Sequence, residues 1–202
     1  MSVTDMTYDP GVTRWQPDAR GRLQLAAIEL FAERGYEHTT VAEIAGRAGL
    51  TERTFFRHFA DKREVLFDGA EMLQHTVATA VADAPADASP IEAVAAGLHA
   101  AGTMLQERGA FAGVRQEIIA ASEELQEREA KKLLALSAAV ADALRQRGVG
   151  EPAASLAADA AISVFRVGFE RWIAQETRSF RELLDESLEE LRAVTARAPA
   201  SS

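Results

Sequence analysis

The chain contains no cysteine and no long apolar run. The absence of cysteine excludes disulfides, thiol catalysis and zinc bound by cysteine. Because no stretch reaches the roughly 18 apolar residues of a membrane helix, the sequence predicts no membrane span. Residues 1–18 carry acids and prolines where a signal peptide needs cations and an apolar segment. We therefore expect a soluble, cytoplasmic protein.

The chain also lacks the short motifs of common enzyme classes. It has no HExxH, GxSxG or GxGxxG motif and no phosphate-binding loop. Its histidines lie far apart, without the spacing of metal ligands: His38, His58, His75 and His99. Pairs of adjacent glutamates are typical of solvated helix faces. We therefore expect no enzymatic activity, no metal site and no cofactor.

The apolar pattern indicates helices throughout the chain. Apolar residues recur at three- and four-residue spacing, and no segment shows the alternation of a strand. Four positions have the capping-box pattern of a polar residue followed three residues later by glutamate. They are Thr40 with Glu43, Asp61 with Glu64, Ser89 with Glu92, and Ser179 with Glu182. The sequence predicts an all-α fold of about nine helices with short connections.

Three parts are expected along the chain. Residues 1–18 form a flexible arm, residues 19–66 a three-helix unit, and residues 67–202 a larger helical domain. A core of about 45 residues is marginal on its own, so the small unit should depend on the next helix for stability. That helix, predicted over residues 61–84, would also link the unit mechanically to the larger domain.

Residues 45–59, AGRAGLTERTFFRHF, have the spacing of a helix-turn-helix. Ala45 allows two helices to approach, Gly49 allows a left-handed turn, and Phe55 anchors the second helix. That helix carries short hydrogen-bonding groups and cations suited to phosphates and base edges: Thr51, Arg53, Thr54, Arg57 and His58. The segment predicts a DNA-reading helix.

The overall charge of −9 is unusual for a DNA-binding protein, but it is unevenly distributed. Between Arg20 and Arg63 there are eight cations and six acids, a net charge of +2. The excess acid lies elsewhere, chiefly beyond residue 67. A locally basic end on an acidic protein would direct that end toward DNA.

Residues 20–66 resemble the N-terminal domain of the TetR family of one-component transcriptional regulators. The ELFAERGYEHTTV segment, the helix-turn-helix and the FADKREVL exit occur in the family's order and spacing. The resemblance implies a dimer that binds a palindromic operator as a repressor and is released by a small molecule. It also implies DNA contacts by Thr40, Thr51, Thr54, Arg57, His58 and Lys62.

Three side chains of the second helix have open roles. Arg53 could hold guanine O6 and N7 in a bidentate contact, or it could touch only phosphate. Phe56 stands where the family often has tyrosine, and we expect it to pack on sugar or on a thymine methyl group. Glu52 stands where the family often has lysine, and it could accept from a cytosine amino group or face solvent.

The C-terminal half offers candidates for a dimer interface. Residues 156–173 are apolar on more than one helical face, so this helix should be buried on two sides. With the last helix, about residues 180–196, it could form a four-helix bundle between two subunits, as the resemblance implies. The interface candidates are Ile162, Trp172, Leu184, Leu188 and Leu191. Such a dimer would bring two reading helices to successive major grooves, about 34–36 Å apart.

An effector pocket is expected among the helices of the same half. Methionine and aromatic side chains line adaptable cavities, although each is equally suited to an ordinary core. The candidates are Met72, His75, Thr76, Leu98, Met104, Phe111, Val114, Ile118, Phe165 and Phe169. The final SFRELLDESLEELRA stretch resembles the branch that includes the mycofactocin regulator, which implies an apolar, acyl-CoA-like effector.

Two readings of the whole chain follow. In the first, an effector favours a dimer state whose reading helices no longer match the groove spacing, and residues 61–84 transmit the change. In the second, the chain is an architectural or protein-interaction protein that keeps the helix-turn-helix shape without a specific operator. A short protected palindrome in footprinting distinguishes the first from the second.

Overall fold

The computed structural model describes residues 18–106, 109–175 and 177–196, and this part of the chain contains nine α-helices and no strand. A short 3-10 turn, Gly109–Phe111, precedes the sixth helix. The expected arm, residues 1–18, lies outside the described residues except for Asp18. The helices are α1 (Ala19–Arg34), α2 (Val41–Arg47), α3 (Glu52–His58), α4 (Ala70–Ala82), α5 (Pro90–Gln106), α6 (Ala112–Ala120), α7 (Glu123–Gln146), α8 (Ala153–Ala174) and α9 (Phe180–Thr195). The all-α prediction is confirmed.

Helix caps explain where several of these helices begin. The full capping boxes predicted at Thr40 with Glu43 and at Ser89 with Glu92 are both present. Ser179 precedes α9 as expected, but its side chain makes no capping hydrogen bond. Gly35 ends α1 with a φ of 84°, a left-handed value that glycine adopts without strain.

The predicted link helix over residues 61–84 is wrong at its N-terminal end. Residues 61–69 form turns, and α4 begins only at Ala70, after Gly69 in the left-handed conformation. Val65, Leu66 and Phe67 are all buried. Consecutive side chains point in different directions, so burying all three requires partners on more than one side, and the core shared with α6 and α7 supplies them. Tertiary packing therefore overrides the helical pattern here.

The small N-terminal core is completed by helices distant in sequence. Apolar side chains of α1, α2 and α3 pack with Val65, Leu66 and Phe67 and also with residues of α6 and α7: Ile118, Ile119 and Leu125. The segment after residue 61, which was expected to stabilise this unit, contributes Val65, Leu66 and Phe67, and α6 and α7 add further support. We use "N-terminal unit" below for residues 18–69.

A second core lies among α4, α5, α7, α8 and α9. Glycines allow α9 to lie close to its neighbours in this core. A Cβ atom on Gly168 of α8 would come 2.9 Å from the side chain of Leu184, and one on Gly102 of α5 would come 3.1 Å from it. Leu184 is thus enclosed between α5 and α8 of its own subunit.

The predicted dimer-interface residues differ in their burial within the subunit. Trp172, Leu184 and Leu188 are buried in the second core, and the ring of Trp172 stacks on Phe180 at a centroid distance of 4.9 Å. These side chains belong to the core of their own subunit, and their place in a dimer interface stays a prediction. Ile162 and Leu191 are half-buried against the same core. On α8 and α9 the exposed large apolar side chains are instead Leu156, Val167 and Val194.

Candidate nucleic-acid interface

The predicted DNA contacts converge on α3 and its cap. Phe55 is fully buried beneath the helix and contacts the ring of Phe59 at 5.5 Å. Apart from Phe55, the helix and its cap present mostly exposed side chains, with Thr54 and His58 half-buried: Thr51, Glu52, Arg53, Thr54, Phe56, Arg57 and His58. Six of the eight predicted contact residues thus lie on this helix and its cap.

Local contacts fix the start of this surface. Thr51 caps α3 by accepting from the backbone N–H of Thr54, and the two hydroxyl oxygens lie 3.0 Å apart. Gly49 turns the chain from α2 to α3 with a φ of 66°. Behind the turn, the guanidinium of Arg22 donates to the carbonyl oxygen of Ala48. A Cβ atom on Gly49 would lie 2.9 Å from the flexible end of Arg22, so it is the left-handed backbone that favours glycine here.

Arg53 and Arg57 are the cations of the N-terminal unit with no carboxylate or carbonyl partner among the described residues. The other cations from Arg20 to Arg63 are all engaged: Arg20 with Asp68, Arg22 with Ala48, Arg34 with Glu43, Arg47 with Glu29 and Glu33, Lys62 with two carbonyls, and Arg63 with Asp61 and Glu124. A guanidinium nitrogen of Arg57 lies 3.4 Å from Nε2 of His58. The positive charge available to phosphate is thus concentrated on α3.

Thr40 and Lys62 serve the protein's own structure. The hydroxyl of Thr40 donates to the carboxylate of Glu43 at 2.8 Å and accepts from its backbone N–H at 3.3 Å. The backbone N–H of Thr40, which donates to the same carboxylate at 2.9 Å, and the Thr40 hydroxyl hold the pKa of the Glu43 carboxyl below its usual value. The ammonium of Lys62 donates to the carbonyl oxygens of Tyr36 (2.9 Å) and Thr39 (3.2 Å) and lies 4.1 Å from the centre of the Tyr36 ring. Both side chains shape the loop before α2.

A small apolar cavity of about 10 Å³ lies in the second core. Ten apolar residues from α4, α5, α7 and α8 line it: Val77, Val81, Val94, Leu98, Ala101, Leu136, Val140, Ala161, Ile162 and Phe165. That volume is about the space of one water molecule. Leu98 and Phe165 were predicted as pocket residues, and Ile162 was predicted for the dimer interface.

The remaining pocket candidates do not share this cavity. Phe169 packs beside it, with its ring 5.8 Å from those of Trp172 and Phe180. Ile118 belongs to the N-terminal core. The other six are exposed or half-buried: Met72, His75, Thr76, Met104, Phe111 and Val114. The wall of α4 uses Val77 and Val81, whose spacing of four residues in the sequence could have identified them.

A wider depression of about 360 Å³ lies between α6 and α7 and opens to solvent. It has both polar and apolar lining residues: Gln116, Ile119, Ala120, Gln126, Glu129, Ala130 and Leu133. Within the described ranges no cluster of histidine and acidic residues is arranged to hold a metal ion. No helix in those ranges has the length and apolar character needed to cross a membrane.

Comparison with known proteins matches both halves of the chain to regulator families. Residues 25–68 match the family model for bacterial regulatory proteins of the tetR family. Residues 88–196, more than half of the chain, match the model of the MftR C-terminal domain. The HTH-type transcriptional regulator TcmR of Streptomyces glaucescens is 40% identical over 81 residues, which cover 40% of this chain and 36% of TcmR. The match thus spans only about a third of that relative.

Solved structures share the fold at low sequence identity. SmeT in complex with triclosan superposes with a TM-score of 0.63 at 19% identity, covering 92% of this chain and 97% of that chain. SmeT is the repressor of a multidrug efflux pump of Stenotrophomonas maltophilia. The repressor FadR of Thermus thermophilus, in complex with lauroyl-CoA, gives a TM-score of 0.50 at 24% identity, covering 91% and 98%. These similarities extend over nearly the whole chain.

Proposed function

Because the chain belongs to the TetR family of bacterial regulatory proteins, we propose that it is a cytoplasmic transcriptional regulator that binds a palindromic operator as a dimer. The observation that carries the proposal is the exposed surface of α3. Arg53 and Arg57 have no acidic partner there, while the neighbouring cations are neutralised by the protein itself. Free guanidinium groups beside hydroxyls and an exposed aromatic ring suit phosphates and base edges in the major groove.

The proposed effector is a small molecule whose recognised part is apolar. Every residue that lines the cavity in the second core is apolar. At about 10 Å³ the cavity cannot hold an organic molecule, so binding requires α4, α5, α7 and α8 to move apart. The binding of lauroyl-CoA by FadR makes acyl-CoAs the first compounds to test.

The proposed mode of action is repression relieved by the effector. A ligand that fits only the expanded cavity stabilises the expanded state and shifts the population toward it. The N-terminal units of the dimer then no longer match two successive major grooves, and operator affinity falls. The loss of affinity equals the difference in the effector's affinity for the two states.

The proposed dimer uses the outer faces of α8 and α9. Leu156 and Val194 are 66% and 76% exposed, and Val167 is exposed as well. Isolated apolar side chains of this size are common on protein surfaces, but three on adjacent helices favour an interface. The pairing of α8 and α9 would complete a four-helix bundle between the subunits.

Operator selection from random DNA followed by footprinting tests the function. We expect the full-length protein to select a palindrome and to protect a short segment. Arg57→Ala should weaken binding to it, whereas Lys131→Ala on α7, which removes an exposed cation paired with Glu127, should not. Diffuse protection with strong salt dependence and no selected sequence would instead identify an architectural DNA-binding protein.

A further inference from the structure

The N-terminal unit is held against α6 and α7 by polar contacts that the proposed function leaves unexplained. Glu64 lies in the turns between α3 and α4, and its carboxylate accepts from Nε of Arg128 at 2.7 Å and from Nζ of Lys132 at 3.4 Å. Both cations belong to α7. Arg115 of α6 donates from Nε to the carbonyl oxygen of Leu66 at 2.7 Å. We call Glu64, Arg115, Arg128 and Lys132 the docking network.

Arg115 is the most constrained member of this network. Besides the Leu66 carbonyl, it pairs with Glu129 of α7 at 3.1 Å, and its guanidinium lies 5.2 Å from the centre of the Phe67 ring. Burial lowers the pKa of Arg115, and Glu129 opposes that effect. The planar guanidinium thus joins α6, α7 and the N-terminal unit at one point, a geometry that the ammonium of lysine does not reproduce.

Further contacts place the start of α7 against the same unit. Glu124 pairs with Arg63 at 2.9 Å. Burial raises the pKa of the Tyr36 hydroxyl above its usual value, and the charge and hydrogen bonding of Glu124 raise it further. Leu125 is fully buried in the N-terminal core. The first turns of α7 therefore touch the N-terminal unit through both apolar and charged groups.

The same helix forms part of the cavity wall. Leu136 and Val140 line the cavity and lie one and two helical turns beyond Lys132. Because α7 is continuous from Glu123 to Gln146, a displacement at the cavity reaches the docking network without crossing a loop. Helix α4 also lines the cavity, but it begins at Ala70, directly after the left-handed Gly69. No continuous helix therefore joins it to the N-terminal unit.

We infer that α7 couples the effector cavity to the DNA-binding unit, with Arg115, Arg128 and Lys132 as the positioning residues that set the unit's orientation. The inference rests on the proposed function and names the route by which it is regulated. The sequence had suggested residues 61–84 for this role. An occupied cavity would displace Leu136 and Val140, and α7 would carry that displacement to Glu64 and to the Leu66 carbonyl.

Distance measurements between two spin labels test the orientation without DNA or effector. The chain has no cysteine, so Ala42→Cys on α2 and Thr103→Cys on α5, both exposed, provide unique labelling sites in full-length protein. We expect one narrow intramolecular distance when labelled protein is diluted into unlabelled protein. Arg128→Gln/Lys132→Gln should broaden it. Glu127→Gln/Lys131→Gln removes an exposed ion pair of the same helix and should leave it unchanged.

Two outcomes of this measurement would overturn the inference. One is an unchanged distance distribution in the docking variant, and the other is equal broadening in the control variant. Thermal unfolding verifies that each variant is folded. If Arg128→Gln/Lys132→Gln does not fold, Arg115→Lys replaces it, because this change keeps the charge and removes the planar guanidinium. The distribution should then broaden, and an unchanged one counts against the inference.

A cavity-filling substitution tests the coupling itself. Ala161→Leu adds three carbon atoms to the wall that faces Leu136 and Val140, and so acts as a built-in occupant. We expect it to lower affinity for the selected operator several-fold in the wild-type background. When Ala161→Leu is added to the Arg128→Gln/Lys132→Gln variant, the further loss of operator affinity should be much smaller. An equal loss in both backgrounds overturns the inference, whereas a wild-type protein that selects no operator contradicts the proposed function and leaves the distance measurement decisive.

Discussion

Phe56 is a large apolar side chain at the centre of the proposed DNA surface. Its ring is 55% exposed and stands edge-on to Phe55, with centroids 5.5 Å apart. We predict that it covers a thymine methyl group. Replacing that thymine by deoxyuridine removes one methyl, worth about 0.8 kcal/mol, and should weaken wild-type binding about fourfold. Titration of labelled operators by fluorescence anisotropy measures the effect. The deoxyuridine replacement should leave the operator affinity of the Phe56→Ala variant almost unchanged. An equal loss of affinity in both proteins would exclude the contact between Phe56 and the methyl group.

Arg53 and Arg57 should differ in how their loss affects DNA binding. If Arg53 holds a guanine, Arg53→Ala should relax the preference at that base pair by about 1–3 kcal/mol. Arg57→Ala should weaken all sequences alike and reduce the slope of log affinity against log salt by about 2 per dimer. Binding to a set of operator variants at several salt concentrations separates the two roles. If Arg53→Ala lowers the affinity for all operator variants equally, Arg53 contacts only phosphate.

The surface of α3 could be predicted from sequence because Gly49 and Phe55 fix the turn and the buried side of the helix locally. Lys62 shows the limit of that reasoning. Its chemistry suits phosphate, and the structure also uses it to hold the loop at Tyr36. Which carbonyl or carboxylate a polar side chain finds depends on residues about 20 positions away, as Lys62 and Thr39 illustrate. Local spacing does not contain that information.

At the level of helices, α6 should be part of the folding unit that binds DNA. Ile119 is 1% exposed and packs in the N-terminal core, far in sequence from α3. We predict that Ile119→Ala destabilises the protein by about 2–5 kcal/mol, because it leaves a cavity there. Val114→Ala, an exposed position of the same helix, is the control. Urea unfolding followed by circular dichroism measures both. Equal stability of the two variants would show that α6 is not needed for this core.

The number and type of the helices could be predicted, but the connection after α3 could not. Asp61 accepts from the backbone N–H groups of Arg63 and Glu64, as the start of a helix would require. The same hydrogen bonds also suit a turn. The structure forms the turn, in which Val65, Leu66 and Phe67 pack with residues of α6 and α7. Periodicity in one segment does not reveal partners so far along the chain.

At the scale of the whole molecule, the outer face of α8 should hold the dimer together. We predict that Val167→Glu converts the protein to a monomer, because it places a charge in the proposed apolar interface. Leu134→Glu on α7, where the leucine is 69% exposed, is the matched control and should remain dimeric. Sedimentation velocity distinguishes the two states. Val167→Glu should also lose most operator affinity, since two linked units are needed to read a palindrome. A dimeric Val167→Glu variant would place the interface elsewhere.

The apolar lining of the cavity in the second core predicts the chemistry of the effector. Its lining has no polar side chain, so an alkyl chain should be the part that is recognised. We predict that lauroyl-CoA and lauric acid raise the unfolding temperature and that free CoA does not, as thermal-shift measurements would show. At a ligand concentration 100 times the Kd, the stabilisation should reach about 2.7 kcal/mol. Ala161→Leu, which fills the cavity, should remain folded and lose the response. Equal stabilisation by free CoA would mean that a polar site elsewhere on the protein binds the ligand, and that the cavity in the second core serves only packing.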